Sequence, residues 1–112
     1  MNLENFKIDI YKKSLASNCF IQLAWTEFFS SRQRGVSISA HFPWLYDGSD
    51  VTYILISNNS DIVGGLVIKP CDRNVSVAHI ALVCIEKSYR GLGLFDKLMN
   101  VTIDYCNERF RA

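Results

Sequence analysis

The chain has 112 residues, a formal net charge of +1, and 49% hydrophobic against 21% charged residues; this is enough for one globular domain over 1–112 and too little for two. That balance excludes an intrinsically disordered chain and leaves no electrostatic grip for nucleic acid or an anionic membrane. No apolar run approaches the roughly 18 residues of a membrane span, the charged N-terminus excludes a secretory apolar core, and Cys19, Cys71, Cys84 and Cys106 form no C-x-x-C pair, so no metal site or redox dithiol is expected.

A cytoplasmic protein with reduced thiols is the resulting expectation. Asn58 and Asn74 each open an N-x-S triplet, which carries no glycosylation meaning there. Cys19, Cys84 and Cys106 lie in apolar stretches and read as small buried hydrophobes.

Along the chain, residues 6–11 alternate Phe6, Ile8 and Ile10 with Lys7, Asp9 and Tyr11, the pattern of a strand. Ser17 or Asn18 is placed to cap a helix running to about residue 34. Phe20, Ile21, Ala24, Trp25, Phe28 and Phe29 form its apolar face, and Gly35 ends it. Residues 36–50 contain Pro43, Gly48 and the aromatics Phe42, Trp44 and Tyr46, compatible with a short helix or a structured loop.

Residues 51–57 and 62–69 are β-rich and flank a turn signal at 58–61, which predicts a hairpin. Gly64 and Gly65 inside the second strand predict a bulge or a close backbone approach. A second turn follows at 69–74. Residues 75–85 form the longest strand and are largely apolar on both faces, as expected of a central strand covered on both sides. After a glycine-containing turn, residues 94–108 read as a helix with Phe95, Leu98, Met99, Thr102 and either Tyr105 or Cys106 on its inner face.

The chemistry concentrates between the last strand and the last helix. Arg90-Gly91-Leu92-Gly93-Leu94 is a tight turn that opens a helix, so several backbone N–H groups face outward where the helix dipole is positive. Phosphate binds at such an end. Gly91 and Gly93 remove Cβ atoms from its path, and Arg90 adds a cation with fork geometry. A P-loop is excluded because G-x-x-x-x-G-K-[ST] is absent. The dinucleotide fingerprint is excluded because Asp96 occupies its third glycine position.

The segment 83–98 resembles motif A of the GNAT superfamily of acetyl-CoA-dependent N-acetyltransferases. Val83 and Ile85 stand at its β-branched strand positions and Tyr89 at its aromatic. Arg90-Gly91-Leu92-Gly93-Leu94-Phe95 stands at its [QR]-x-x-G-x-[GA] core, with Phe95 where glycine or alanine is usual. The order of elements upstream is also similar to the family.

The resemblance implies an α/β (α+β) fold: a mixed, mostly antiparallel sheet flanked by helices, with the chain ending after the motif A helix. A complete domain would add a strand, a helix and a closing hairpin. It also implies acetyl-CoA as cosubstrate and a small-molecule or peptide amine as acceptor. Val83, Cys84 and Ile85 would meet the pantetheine arm and offer an N–H to the thioester oxygen. Arg90, Gly91, Leu92, Gly93, Leu94 and Phe95 would hold the pyrophosphate. Six residues before Ile85, where many members carry a glutamate base, stands His79, with an imidazole suited to take a proton near neutrality. Glu86 is the second candidate base. The aromatic segment 42–47, with Asp47 or Asp50, lies where the family builds part of its acceptor pocket. The alternative reading is an inactive acyl-CoA-binding module or a fragment with an interaction role. A bare edge on the long strand predicts a homodimer or pairing with another chain.

Overall fold

The computed structural model describes residues 5–12, 14–29, 51–71 and 74–109. They form β1 (Phe6–Tyr11), α1 (Leu15–Phe29), β2 (Thr52–Asn58), β3 (Asp61–Cys71), β4 (Asn74–Ile85), a 3-10 turn (Lys87–Tyr89) and α2 (Leu94–Arg109). All neighbouring strands pair antiparallel in the order β1-β2-β3-β4. The mixed α/β class and the order of elements are those expected. The residues assigned to Gly35, the aromatic segment 42–47 and Asp50 lie outside the described residues.

The period of two along β2 builds the layers. Tyr53 and Leu55 enter a cluster with Phe20, Ile21 and Ala24 of α1. Ile54 and Ile56 enter the opposite cluster with Leu94, Leu98 and Tyr105 of α2. On β3, Val67 joins the first cluster while Leu66 and Ile68 join the second. The sheet is therefore sandwiched between α1 and α2, and its inner strands are apolar on both faces because each face meets a helix layer.

Among the described residues β4 and β1 are the two edge strands of the sheet. β4 thus holds the edge and not the central position that its two apolar faces suggest, with Ile80 44% and Val83 36% exposed. Apolarity on both faces reports what lies above and below a strand, not whether a neighbour pairs beside it, which is why the pattern misled.

Local chemistry sets the boundaries. Ser14, not Ser17 or Asn18, opens α1. The Ser17 N–H donates to Ser14 Oγ at 3.3 Å and the Ser14 N–H donates to Ser17 Oγ at 2.8 Å. This is a reciprocal capping box with serine in the place of the usual glutamate. Cys19 is exposed, against the buried role expected of it, because it lies off the stripe of Phe20, Ile21 and Ala24 that enters the core. Asn59 and Ser60 have φ of 50° and 79°, and Asn58 pairs with Asp61, giving the two-residue turn whose twist suits a hairpin.

The glycine pair proves to be a close approach that adjoins a bulge, with Val63 as the extra residue because Ile56 pairs with Gly64 and Ser57 with Ile62. The register of β2 with β3 shifts between Ile56 and Ser57. A Cβ on Gly65 would stand 2.6 Å from the Ile54 carbonyl oxygen, and one on Gly64 3.0 Å from that of Cys84. On α2 the buried side chains are Leu94, Leu98, Thr102 and Tyr105, while Phe95 is 49% exposed and Met99 and Cys106 are half-buried. The inner stripe thus begins one residue earlier than expected. Thr102 satisfies its buried hydroxyl by donating to the Leu98 carbonyl at 2.7 Å.

Candidate active site

β4 ends where the bulge of β3 meets it. The Glu86 N–H donates to the Val63 carbonyl at 2.8 Å, and the Tyr89 N–H to the Glu86 carbonyl at 2.9 Å. The Tyr89 ring meets Phe6 edge-on, with centroids 5.7 Å apart at 82°, and its hydroxyl accepts a hydrogen bond from Asn58 Nδ2 at 3.3 Å. The motif aromatic therefore fastens the connection to β1 and β2.

The chain then turns through Gly91 and Gly93, with φ of 82° and 78°, a region that penalises any residue with a Cβ. A Cβ on either glycine would meet no atom within 4 Å. The fold itself does not need those two positions bare of side chain, apart from their φ. The first helical hydrogen bond runs from the Lys97 N–H to the Gly93 carbonyl at 3.3 Å, which leaves the amides just before it without intrahelical partners. Open space before bare amides at a helix start fits a phosphate group.

A cleft of about 430 Å³ lies along this end of β4, lined by Val83, Cys84, Ile85, Tyr89, Arg90, Gly91, Gly93, Leu94, Phe95 and Asp96. Eight of the expected site residues therefore meet in one place. Its wall is apolar along β4 and turns polar at the glycine turn, as a ligand with an apolar arm and a charged end requires. Asp96 sits in the first turn of α2, where a carboxylate complements the helix dipole.

Other expected residues stand apart. Leu92 is half-buried and packs against the α2-side core, so it contributes its backbone to the turn and not a wall to the cleft. His79 is exposed, pairs with Lys69, and is not among the residues that line the cleft. It lies about 13 Å from Val83 along the strand at roughly 3.3 Å per residue. The register shift opposite Val67 and Ile68 leaves Ala81 as an extra residue between them. Glu86 accepts a hydrogen bond from Ser88 Oγ at 2.9 Å and does not line the cleft.

Two further groups shape the electrostatics. The Cys84 thiol is pushed up to about 11, mainly by burial, then by the Glu27 carboxylate, against a smaller opposing effect of Arg90. It is a neutral wall, not a nucleophile. Arg90 donates from Nε to the Ile85 carbonyl at 2.8 Å, and its Nη2 lies 3.8 Å from Glu27 Oε2. Glu27 also accepts the Lys87 N–H at 2.8 Å through Oε1. The sequence reading missed Glu27. The available signal was its position three residues after Ala24 and seven after Phe20, a carboxylate on the buried stripe of an amphipathic helix.

The model of the Acetyltransferase (GNAT) family matches residues 18–112. No curated protein matches the chain in sequence. Among solved structures, the chain is similar to an aminoglycoside acetyltransferase from an uncultured soil metagenomic sample, with TM-score 0.70 and 18% identity over 94% of this chain and 72% of that one. It is similar to ElaA of Escherichia coli, with TM-score 0.71 and 18% identity over 94% and 72% of the two chains. It is also similar to the catalytic domain of the Tetrahymena GCN5 histone acetyltransferase in complex with coenzyme A, with TM-score 0.65 and 16% identity over 94% and 63%. Identities this low speak for the fold, while the family model spans most of the chain and includes the whole strand, turn and helix of the cleft: the chain belongs to the acetyltransferase (GNAT) family.

Proposed function

We propose that the chain is an acyltransferase that moves an acetyl group from acetyl-CoA to an amine. The observation that carries this reading is the pair of positive-φ glycines at 91 and 93 with open space before them, at the end of a cleft walled by β4. The amides of residues 91–95 and the guanidinium of Arg90 take the pyrophosphate. Val83, Cys84 and Ile85 run beside the pantetheine arm, and the β4 backbone offers an N–H to the thioester oxygen as it gains negative charge. The amine nitrogen forms a bond to the acyl carbon and the carbon–sulfur bond breaks. The proton lost by the amine passes to His79, directly or through water, and the departing thiolate takes a proton from solvent, so that coenzyme A leaves as its thiol.

Family membership supports the reaction, and the place of His79 six residues before Ile85 is the sequence argument for its role. His79→Ala should lower kcat by about 100-fold and leave coenzyme affinity nearly unchanged. An unchanged kcat across pH 6 to 8 removes His79 from the mechanism. We place the protein in the cytoplasm; among the described residues no helix is long and apolar enough to cross a membrane. We also propose that a second copy pairs along the outer edge of β4 ahead of the cleft, supported by the exposure of Ile80 and by the hazard of a strand left bare among the described residues. A concentration-independent monomer mass in light scattering refutes that pairing.

The deciding experiment is calorimetric titration of the chain with acetyl-CoA beside an assay of thiol release with an amine acceptor. Gly93→Glu places a side chain and a negative charge against the pyrophosphate and should abolish binding. Equal binding by wild type and Gly93→Glu rejects the site. Binding without turnover makes the chain an acyl-CoA-binding module.

A further inference from the structure

The connection between β4 and α2 is held from a third direction. Glu27 stands near the end of α1, 60 residues away in sequence from Lys87, and its Oε1 accepts the Lys87 N–H at 2.8 Å. Its Oε2 lies 3.8 Å from Arg90 Nη2, with the Glu27 side chain 19% exposed and that of Arg90 53% exposed. Lys87 begins the 3-10 turn, and the Arg90 N–H closes that turn on the Lys87 carbonyl at 3.3 Å. One carboxylate on a half-buried residue therefore touches both the first residue of the turn and the cation that follows it.

We infer that Glu27 is a positioning residue for the phosphate-binding turn: by accepting the Lys87 N–H it sets the turn at which residues 90–95 meet the ligand. This rests on the reading that the turn binds the pyrophosphate of an acyl-CoA. The two contacts are unequal. The hydrogen bond is short and charge-assisted. The ion pair is long and half in solvent, where such pairs contribute little. A carboxylate close to a pyrophosphate would also repel it, so an attractive role for Glu27 has to come from the shape it imposes and not from its charge.

That reasoning separates the substitutions. Glu27→Gln keeps an oxygen that accepts the Lys87 N–H, and glutamine has nearly the helix propensity of glutamate. Glu27→Met keeps the aliphatic stem and removes the acceptor. Lys87→Pro supplies an independent rescue. Proline suits the first position of a helical turn and removes the donor that would otherwise be left unpaired. Glu86 before it already has φ −53° and ψ 138°, the conformation a following proline imposes.

The test is calorimetric titration of the full chain with coenzyme A and with ADP, beside thermal melts. Glu27→Met should raise both dissociation constants about 10-fold, the loss of one well-placed hydrogen bond to a charged group. Glu27→Gln should stay within about threefold of wild type, and Lys87→Pro in the Glu27→Met background should restore most of the affinity. Wild-type affinity in Glu27→Met overturns the inference, as does a Glu27→Gln variant as weak as Glu27→Met, because the charge and not the turn would then matter. If Glu27→Met fails to fold, Glu27→Met with Lys87→Pro decides: near wild-type affinity supports the inference and a 10-fold loss overturns it. Failure of the wild type to bind either ligand rejects the phosphate site itself, a result distinct from all of these.

Discussion

Adding one methyl group at Gly65 and, separately, at Gly93 should damage the protein in opposite ways. At Gly65, φ is +154°, and the new Cβ would stand 2.6 Å from the Ile54 carbonyl oxygen and 2.7 Å from Leu55 Cδ2. Both belong to β2, which is buried on both faces and cannot move aside. A disfavoured backbone costs about 1–2 kcal/mol and overpacking about 1–3 kcal/mol, so Gly65→Ala should lose about 2–5 kcal/mol. At about 4 °C per kcal/mol for a domain of this size, the melting temperature falls by about 8–20 °C. At Gly93 the φ of +78° carries the same backbone cost, but the Cβ meets nothing within 4 Å. Gly93→Ala should therefore lose only about 1–2 kcal/mol, or about 4–8 °C. Its methyl group instead occupies the approach to the amides, and losing one hydrogen bond to a charged phosphate costs about 1.5–3 kcal/mol, a 10- to 100-fold weaker coenzyme complex. Circular dichroism melts and calorimetric titration read the two effects separately. A Gly65→Ala variant that melts with wild type, or a Gly93→Ala variant that binds coenzyme A as wild type does, refutes the reasoning at that glycine.

Cys84, with its thiol pushed up to about 11, carries about one thiolate per thousand at pH 8, so iodoacetamide should modify the exposed Cys19 well before it; equal rates at pH 8 in mass spectrometry contradict the burial. Because the folded value lies above the ordinary 9.0, the neutral thiol favours the fold fully below about pH 9. That contribution is lost as pH rises through about 11, and Cys84→Ser should flatten this part of the stability profile. Ser14→Ala removes the oxygen that accepts the Ser17 N–H and should cost about 1 kcal/mol, whereas Asn18→Ala should cost far less; the reverse order in urea unfolding would return the helix start to the later position. Tyr89→Phe deletes one long, part-buried hydrogen bond from Asn58 and should cost about 1 kcal/mol or less, while Tyr89→Ala also loses the edge contact with Phe6 and should cost about 3 kcal/mol.

The legible parts of this protein were those governed by neighbours in sequence. Period-two alternation marked β1, the Asn58–Asp61 signal marked the hairpin, and the pair Gly64-Gly65 marked a position where two backbones come close. The phosphate turn was legible for the same reason. Positive φ and open amides are properties of four or five consecutive residues, and Gly91 and Gly93 adopt them within the segment itself. The start of α1 was misplaced because Ser14 and Ser17 are both capping residues, and only the reciprocal hydrogen bonds between them assign the roles.

The identity of the elements, the glycine turn and the family to which its motif belongs could be read from residue order alone, because backbone sterics and hydrophobic period act over a few residues. Which elements meet was settled by the packed fold. It turned Leu94 and not Phe95 inward, set His79 along the strand from the cleft, and brought Glu27 of α1 to the amide of Lys87. Each depends on contacts between residues far apart in the chain, and these form only when packing two helices on opposite faces of one sheet fixes where every strand end lies.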